Sequence, residues 1–349
     1  MDRRTKALEI LKAGTVIPAT PLALTAEQKF DEASQRRLTR YYLEAGAGGI
    51  ATAVHSTQFE IRDPKINLFE TVIRTVSSVI GDFEAETGKT VVKVCGVCGV
   101  TEQAVSEAKL AKACGYDAVL LSPGGLRDYD EDYMIERTKA VAEVMPVIGF
   151  YLQPSVGGRV FTYSYWERVC EIEGVVAIKC APFNRYLTHD VVRAATLSSR
   201  ADDIALYTGN DDNIVVDLLT EYRFIKDGKC VTGRFSGGLL GHWSVWTKRV
   251  VEMFGSLQGA EPTAELLSLA AEITDANAAI FDAAHNFAGC IPGIHEILRR
   301  QGLLEGIWCL NPDEVLSEGQ AEEIERVCKA YPHLCDDEFA AEFLANYKA

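Results

Sequence analysis

Two short stretches decide the fold: Val147-Ile-Gly-Phe-Tyr-Leu152 and, after one helical segment, Val175-Val-Ala-Ile-Lys179. Each is a β-branched, apolar run too short for a helix, and each closes on a reactive side chain, Tyr151 in one and Lys179 in the other. Strands of this kind separated by an amphipathic helix form parallel βαβ units. Working outward, the same rhythm recurs at Gly14–Ala19, Gly49–Val54, Val91–Val97, Ala118–Ser122, Ile204–Gly209 and Gly233–Gly237, making eight runs in all. Amphipathic stretches such as Glu27–Ala45, Pro64–Gly81, Thr101–Cys114 and Asp130–Val144 separate them. Eight such units predict an α/β protein, a (β/α)8 TIM barrel. An open doubly wound sheet is the alternative, but its Gly-rich phosphate turn is missing; the glycines of Gly46-Ala-Gly-Gly49 precede a strand and read as a helix end.

Beyond the eighth run the pattern becomes helical. Leu266, Leu269, Ala270, Ile273, Asn277, Ile280, Phe281 and Ala284 recur at helix spacing, and an acidic helical tail follows. The expected division is a barrel over residues 1–255 and a helical extension over 256–349 packed on it, part of which is available for an oligomer contact.

The chain has 349 residues, 48% hydrophobic and 24% charged, with a formal charge of −15. Such a field repels phosphate backbones and anionic lipid, which argues against nucleic-acid or membrane partners. The first residues lack a continuous apolar segment of signal-peptide length, and no run of 18 apolar residues occurs. With ten scattered cysteines, the expectation is a cytoplasmic protein with reduced thiols. Cys95-Gly-Val-Cys98 has redox or zinc spacing, but it ends a strand-like run without a second pair, so buried apolar thiols are the favoured reading.

The active site of a TIM barrel lies at the C-terminal strand ends. A lysine ending a buried strand loses solvation of its ammonium, which lowers its pKa and frees the amine to attack a carbonyl. A neighbouring tyrosine hydroxyl can relay protons. The plainer reading has Lys179 snorkelling to solvent and Tyr151 packing the barrel top.

Taken together, these segments resemble the dihydrodipicolinate synthase and N-acetylneuraminate lyase family of class I aldolases. Gly149-Phe-Tyr-Leu-Gln-Pro-Ser-Val-Gly-Gly158 resembles its Tyr-x-x-Pro-x-x-x-Gly turn, and Gly174-Val-Val-Ala-Ile-Lys179 its Gly-apolar-Lys strand. The opening Gly14–Leu22, the turn Tyr207–Ile214 and the segment Ile294–Val327 are similar to other parts of the family pattern. The resemblance implies a Schiff base on Lys179, a proton shuttle at Tyr151, a 2-keto acid such as pyruvate with an aldehyde partner, no metal or cofactor, and a homo-oligomer, dimer or tetramer. It also aligns His55-Ser-Thr-Gln-Phe-Glu60 with the family's carboxylate-binding loop, so Ser56 and Thr57 are expected to bind the keto-acid carboxylate.

Departures from the family point to a divergent substrate. His55, Gln58 and Phe59 do not match the loop; His55 is either a second acid/base or substrate donor, or a satisfied loop histidine. Val156 stands where the synthase branch has an arginine, and Gly124 and Gly125 where it has a tyrosine. After the lysine comes Cys180-Ala-Pro-Phe-Asn-Arg185, and the eighth run ends in Phe235-Ser-Gly-Gly238. Phe59, Arg185, Phe235 and Gly237 are therefore expected to line the outer pocket, with Arg159 and Arg234 as further candidate anion contacts. The expected outcomes are carbon–carbon cleavage or condensation, dehydration of a deoxy-sugar keto acid, or aromatic hydratase-aldolase chemistry in a pocket lined by Phe59, Phe183 and Phe235. A non-catalytic keto-acid-binding barrel and a metal-dependent aldolase using His55, His189 or His242 complete the alternatives.

Overall fold

The computed structural model describes residues 2–348. Its strands are β1 (Val16–Pro18), β2 (Gly49–Thr52), β3 (Val92–Val97), β4 (Ala118–Leu121), β5 (Val147–Leu152), β6 (Val175–Ala181), β7 (Ala205–Thr208), β8 (Tyr222–Lys226), β9 (Lys229–Gly233) and β10 (Phe235–Leu240). Eight of them form one parallel sheet in the order β1-β10-β7-β6-β5-β4-β3-β2. An Ala19–Ala51 bridge, with Thr20 N–H donating to the Ala51 carbonyl at 2.9 Å, joins the two ends. The expected (β/α)8 barrel is the observed fold.

Side chains alternate across the barrel wall, as strand geometry requires. Ile148, Phe150, Ala177, Ala205 and Leu239 fill the interior. Val147, Tyr151, Val175, Ile178 and Cys180 face the surrounding helices. The helix Arg3–Ala13 closes the N-terminal mouth, with Ala7 and Leu11 buried among interior residues and the Tyr207 hydroxyl donating to the Leu11 carbonyl at 2.8 Å. Gly14, at φ 97°, lets the chain turn into β1, because a Cβ there would lie 1.9 Å from the Ser236 carbonyl oxygen. Cys95 is buried and Cys98 half-buried; burial raises both thiols, the latter to about 11, away from thiolate reactivity.

Two features differ from the sequence expectation. The eighth barrel strand is Phe235–Leu240, not Gly233–Gly237, so its C-terminal end lies at Leu240. Moreover, an antiparallel hairpin, β8–β9, precedes it. Its Asp227-Gly228 turn has φ values of 51° and 75°, the two-residue geometry that Asp-Gly favours.

Helices Ala264–Ile280, Cys290–Arg300, Gln320–Ala330 and Asp337–Asn346 follow the last barrel helix, Thr247–Leu257. Ile280, Ile294, Leu298, Val327 and Phe343 share one core with Leu38, Tyr42 and Ile80 of the helices around β2. Asp336, 2% exposed, clasps this junction. It accepts the Tyr41 hydroxyl at 2.5 Å, the Lys248 N–H at 2.9 Å and Gln301 Nε2 at 2.8 Å.

Asp336→Ala leaves these buried donors without an acceptor and is expected to cost about 3 kcal/mol of unfolding free energy. Urea denaturation measures this, and a loss under about 0.5 kcal/mol would show that the clasp does not hold the extension to the barrel.

Candidate active site

At the C-terminal mouth of the barrel lies a cavity of about 70 Å3. Lys179 and Ala181 of β6, Phe150 and Leu152 of β5 and Ala19 beyond β1 form its floor and walls. His55, Ser56, Phe183, Gly209, Asp211 and Gly241 come from the loops after the strands. Phe281, Phe287, Cys290 and Ile294 of the C-terminal extension cover it.

Lys179 is 8% exposed, and its Nζ sits 4.6 Å from the centre of the Phe150 ring. β6 places it beside Phe150 on one flank and Tyr207 on the other. Its stem passes Gly209, where a Cβ would lie 2.5 Å from Lys179 Cε. Only glycine leaves room for the lysine in this arrangement. Burial pulls the amine down to about 8, against the pull of Asp211, which favours the charged form. Burial likewise raises Asp211 to about 7, opposed by the His242 N–H and by Lys179. Asp211 Oδ1 accepts that N–H at 3.0 Å.

The loop after β7 is braced on both sides. Asn210 Oδ1 accepts the Phe183 N–H at 3.1 Å, and its Nδ2 donates to Thr188 Oγ1 at 3.2 Å and Asp217 Oδ2 at 2.9 Å. This fixes Phe183 in its left-handed backbone conformation, φ 51°.

His55 lines the cavity half-buried; burial first, and the Lys179 charge second, lower it to about 4, so the ring is neutral near pH 7. Ser56 also lines the cavity, but its hydroxyl donates to the Ala19 carbonyl at 2.7 Å. Its backbone N–H has no acceptor among the described residues. Thr57 is fully buried, and its hydroxyl donates to the Thr20 carbonyl at 2.7 Å, tying the β2 loop to the end of β1.

Several expected site residues lie elsewhere. The structure turns Tyr151 away from Lys179. Its side chain lies on the outer face of β5, 5.0 Å from the Trp166 ring, and its hydroxyl accepts the Phe161 N–H at 3.1 Å. The β5–β6 register shifts between Val147 and Ile148, which pairs Phe150, not Tyr151, with Lys179. Phe59 packs against Arg62 and lies 6.2 Å from His55, outside the cavity lining. Arg185 is committed to Asp217 at 2.6 Å and faces Asp212 at 3.6 Å. Phe235 and Gly237 sit early in β10, below the mouth. Phe235 meets Tyr222 at 6.2 Å, and a Cβ on Gly237 would strike the Thr15 backbone. Arg159 donates to the Leu126 and Tyr129 carbonyls, and Arg234 pairs with Glu221 at 2.8 Å.

Asp211, Phe150 and the C-terminal cover went unread in the sequence. Asp211 had a signal, since it lies in the turn Gly209-Asn-Asp-Asp212 directly after a strand. Phe287 and Cys290 had none, because only tertiary packing brings residues so distant in sequence over the barrel mouth.

These features define the class: a closed parallel (β/α)8 barrel with one desolvated lysine at its catalytic end. A model of the dihydrodipicolinate synthetase family matches residues 12–221, and the chain belongs to that family. A 4-hydroxy-tetrahydrodipicolinate synthase of Moorella thermoacetica is 26% identical over 211 residues, 59% of this chain. The match spans 66% of that relative's own length. Among solved structures, dihydrodipicolinate synthase from Oceanobacillus iheyensis superposes with a TM-score of 0.73 at 15% identity, covering 95% of this chain and 99% of the other. N-acetylneuraminate lyase from Fusobacterium nucleatum gives 0.70 at 16%, covering 92% and 99%. These likenesses carry the fold.

Two variants test the corrected geometry. Thr57→Val is expected to lower unfolding free energy by about 1–2 kcal/mol through the unpaired Thr20 carbonyl, leaving the KM of a keto-acid substrate within about twofold. A tenfold KM rise without loss of stability would return Thr57 to the substrate site. Tyr151→Phe keeps the ring in its aromatic cluster, so kcat is expected to stay within about fivefold of wild type, where loss of a proton relay costs about 10²-fold or more.

Proposed function

We propose that this protein is a Schiff-base-forming lyase of the class I aldolase type, which joins a 2-keto acid such as pyruvate to an aldehyde or cleaves the product. The observation that carries this reading is the desolvated Lys179 amine in the barrel-mouth cavity. With the amine at about 8, roughly a tenth is neutral at pH 7, against about three parts in ten thousand for an ordinary lysine. The neutral amine adds to the C2 carbonyl of the keto acid. Loss of water leaves an iminium that draws electrons from C3, so the bond from C3 to the aldehyde carbon can break or form. The free N–H of Ser56 supports a role for the β2 loop in meeting the keto-acid carboxylate.

The surroundings favour an aldehyde partner without a carboxylate. Val156, Phe183, Phe281 and Phe287 present apolar surface, and among the described residues no arginine lines the cavity. Arg185, the nearest candidate in sequence, is held by Asp217. Aspartate semialdehyde would therefore bring an unmatched charge into the cavity, and the apolar lining instead favours aromatic hydratase-aldolase chemistry as the second reading. A homo-oligomer, dimer or tetramer, in the cytoplasm belongs to the same proposal.

Borohydride with pyruvate should fix a pyruvyl adduct on Lys179, located by peptide mass, and Lys179→Ala or Lys179→Arg should abolish it. The adduct's formation rate should rise as pH increases toward about 8, because the attacking form is the deprotonated amine. An unmodified wild-type chain across a panel of 2-keto acids would defeat the proposal.

A further inference from the structure

The imine reaction needs a group to move protons beside the reacting atoms, and the tyrosine expected to do so points out of the barrel. We propose that Asp211 is the acid and base of this site, protonating the departing carbinolamine oxygen and then removing the C3 proton from the iminium. This inference rests on the Lys179 Schiff-base reading and extends it.

The cavity itself selects Asp211. It is the one carboxylate among the described residues lining the cavity with Lys179. It is 5% exposed, and Oδ1 is fixed by the His242 N–H at 3.0 Å. The hydrogen bond to His242 uses Oδ1 alone, which leaves Oδ2 as the oxygen to meet a substrate. The other polar groups are poorly suited. The His55 ring is neutral and too weak a base at about 4. The Ser56 hydroxyl is engaged with the Ala19 carbonyl. Burial holds the Cys290 thiol well above its ordinary range.

The charged groups acting on Asp211 are Lys179, which stabilises the carboxylate, and Asp212, which opposes it; the His242 ring is neutral. Burial lowers Lys179 and raises Asp211, so desolvation of both groups favours moving the ammonium proton to the carboxylate. That transfer yields the two forms the chemistry needs, a neutral amine and a carboxylic acid. The amine lone pair forms the bond to C2, and the nitrogen passes a proton to the new alkoxide. Asp211 then protonates the resulting hydroxyl. The C–O bond breaks, water leaves, and the nitrogen lone pair closes the C=N bond. The Asp211 carboxylate next takes a proton from C3. The C–H pair becomes the C2=C3 bond, the C=N pair returns to nitrogen, and Asp211 is again an acid. In the condensation direction the enamine attacks the aldehyde and Asp211 gives its proton to the new alkoxide; in cleavage, the Asp211 carboxylate takes the C4 hydroxyl proton as the C3–C4 bond breaks and then returns it to C3 of the enamine.

Exchange of the pyruvate methyl protons in D2O, followed by proton NMR without any aldehyde, isolates the C3 step. Borohydride trapping on the same samples isolates imine formation. Asp211→Asn keeps the Oδ1 acceptor for His242 and is expected to lose about 10²-fold or more in exchange, while the Lys179 adduct still forms on long incubation. Asp211→Glu, which restores a carboxylate, should recover part of the exchange. Exchange by the Asn variant within threefold of wild type would overturn the proposal. So would equal losses of trapping and exchange that Glu does not relieve, which would confine Asp211 to setting the Lys179 amine. Absence of an adduct on the wild-type chain would instead sink the Schiff-base reading.

Discussion

Holding an amine out of water is the constraint on which the barrel mouth depends. A buried ammonium is costly unless something compensates its lost hydration, and Lys179 is 8% exposed. The neighbouring positions answer to this. Gly209 leaves the volume for its stem, Phe150 offers a ring face to Nζ, and Asp211 supplies an opposite charge without closing to a direct ion pair. A close, fully bonded carboxylate would hold the ammonium charged and suppress the nucleophile. The looser arrangement leaves burial as the larger influence on the amine, which lowers it.

The next layer keeps that arrangement from drifting. Asp217 is fully buried and accepts from Arg185, Thr208, Asn210 and Asn213. Asn210 in turn holds Phe183. The loops after β6 and β7 are thus one polar network, and Arg185, whose sequence position suggested a substrate contact, is one of its structural members. On the opposite side, Ser56 and Thr57 bind the end of β1 to the β2 loop through main-chain carbonyls. Hydroxyls in a loop expected to bind an anion serve first to shape it.

The strand rhythm was legible in the sequence because buried parallel strands must be short, apolar and β-branched, and all eight runs overlap the observed barrel strands, the eighth only at its C-terminal part. Lys179 was legible for the same reason, since a lone charge at the end of such a run stands out. Which face Tyr151 occupies was not. Which residues meet across two strands depends on their register, and one irregularity at Val147 sets Phe150 and not Tyr151 beside Lys179. The Asp227-Gly228 turn was visible and overlooked; reading it would have moved the eighth strand forward to Leu240 and taken Phe235 and Gly237 out of the site.

The cover over the cavity shows where this chain differs in kind. The family match ends at residue 221, yet the solved relatives superpose on more than nine-tenths of the chain. Beyond residue 221 the architecture persists outside the span of the family match. Within that part, Asp282, Asn286 and Phe287 all adopt left-handed backbone conformations, at φ 59°, 55° and 68°. Such strain in non-glycine residues persists only where surrounding contacts enforce it. Here Asp282 supplies them, accepting the Gly289 N–H at 2.9 Å and the Ser317 hydroxyl at 2.5 Å. The result sets Phe287 edge-on against Phe183 at 5.7 Å, from across the mouth. The floor of the cavity, with its lysine, thus belongs to the part of the chain that the family pattern covers. Its roof belongs to the part beyond that match. The apolar surface of Val156 and Phe183, on loops of the family-matched part, faces the same cavity as Phe281 and Phe287 of the extension, so both parts of the chain shape the lining.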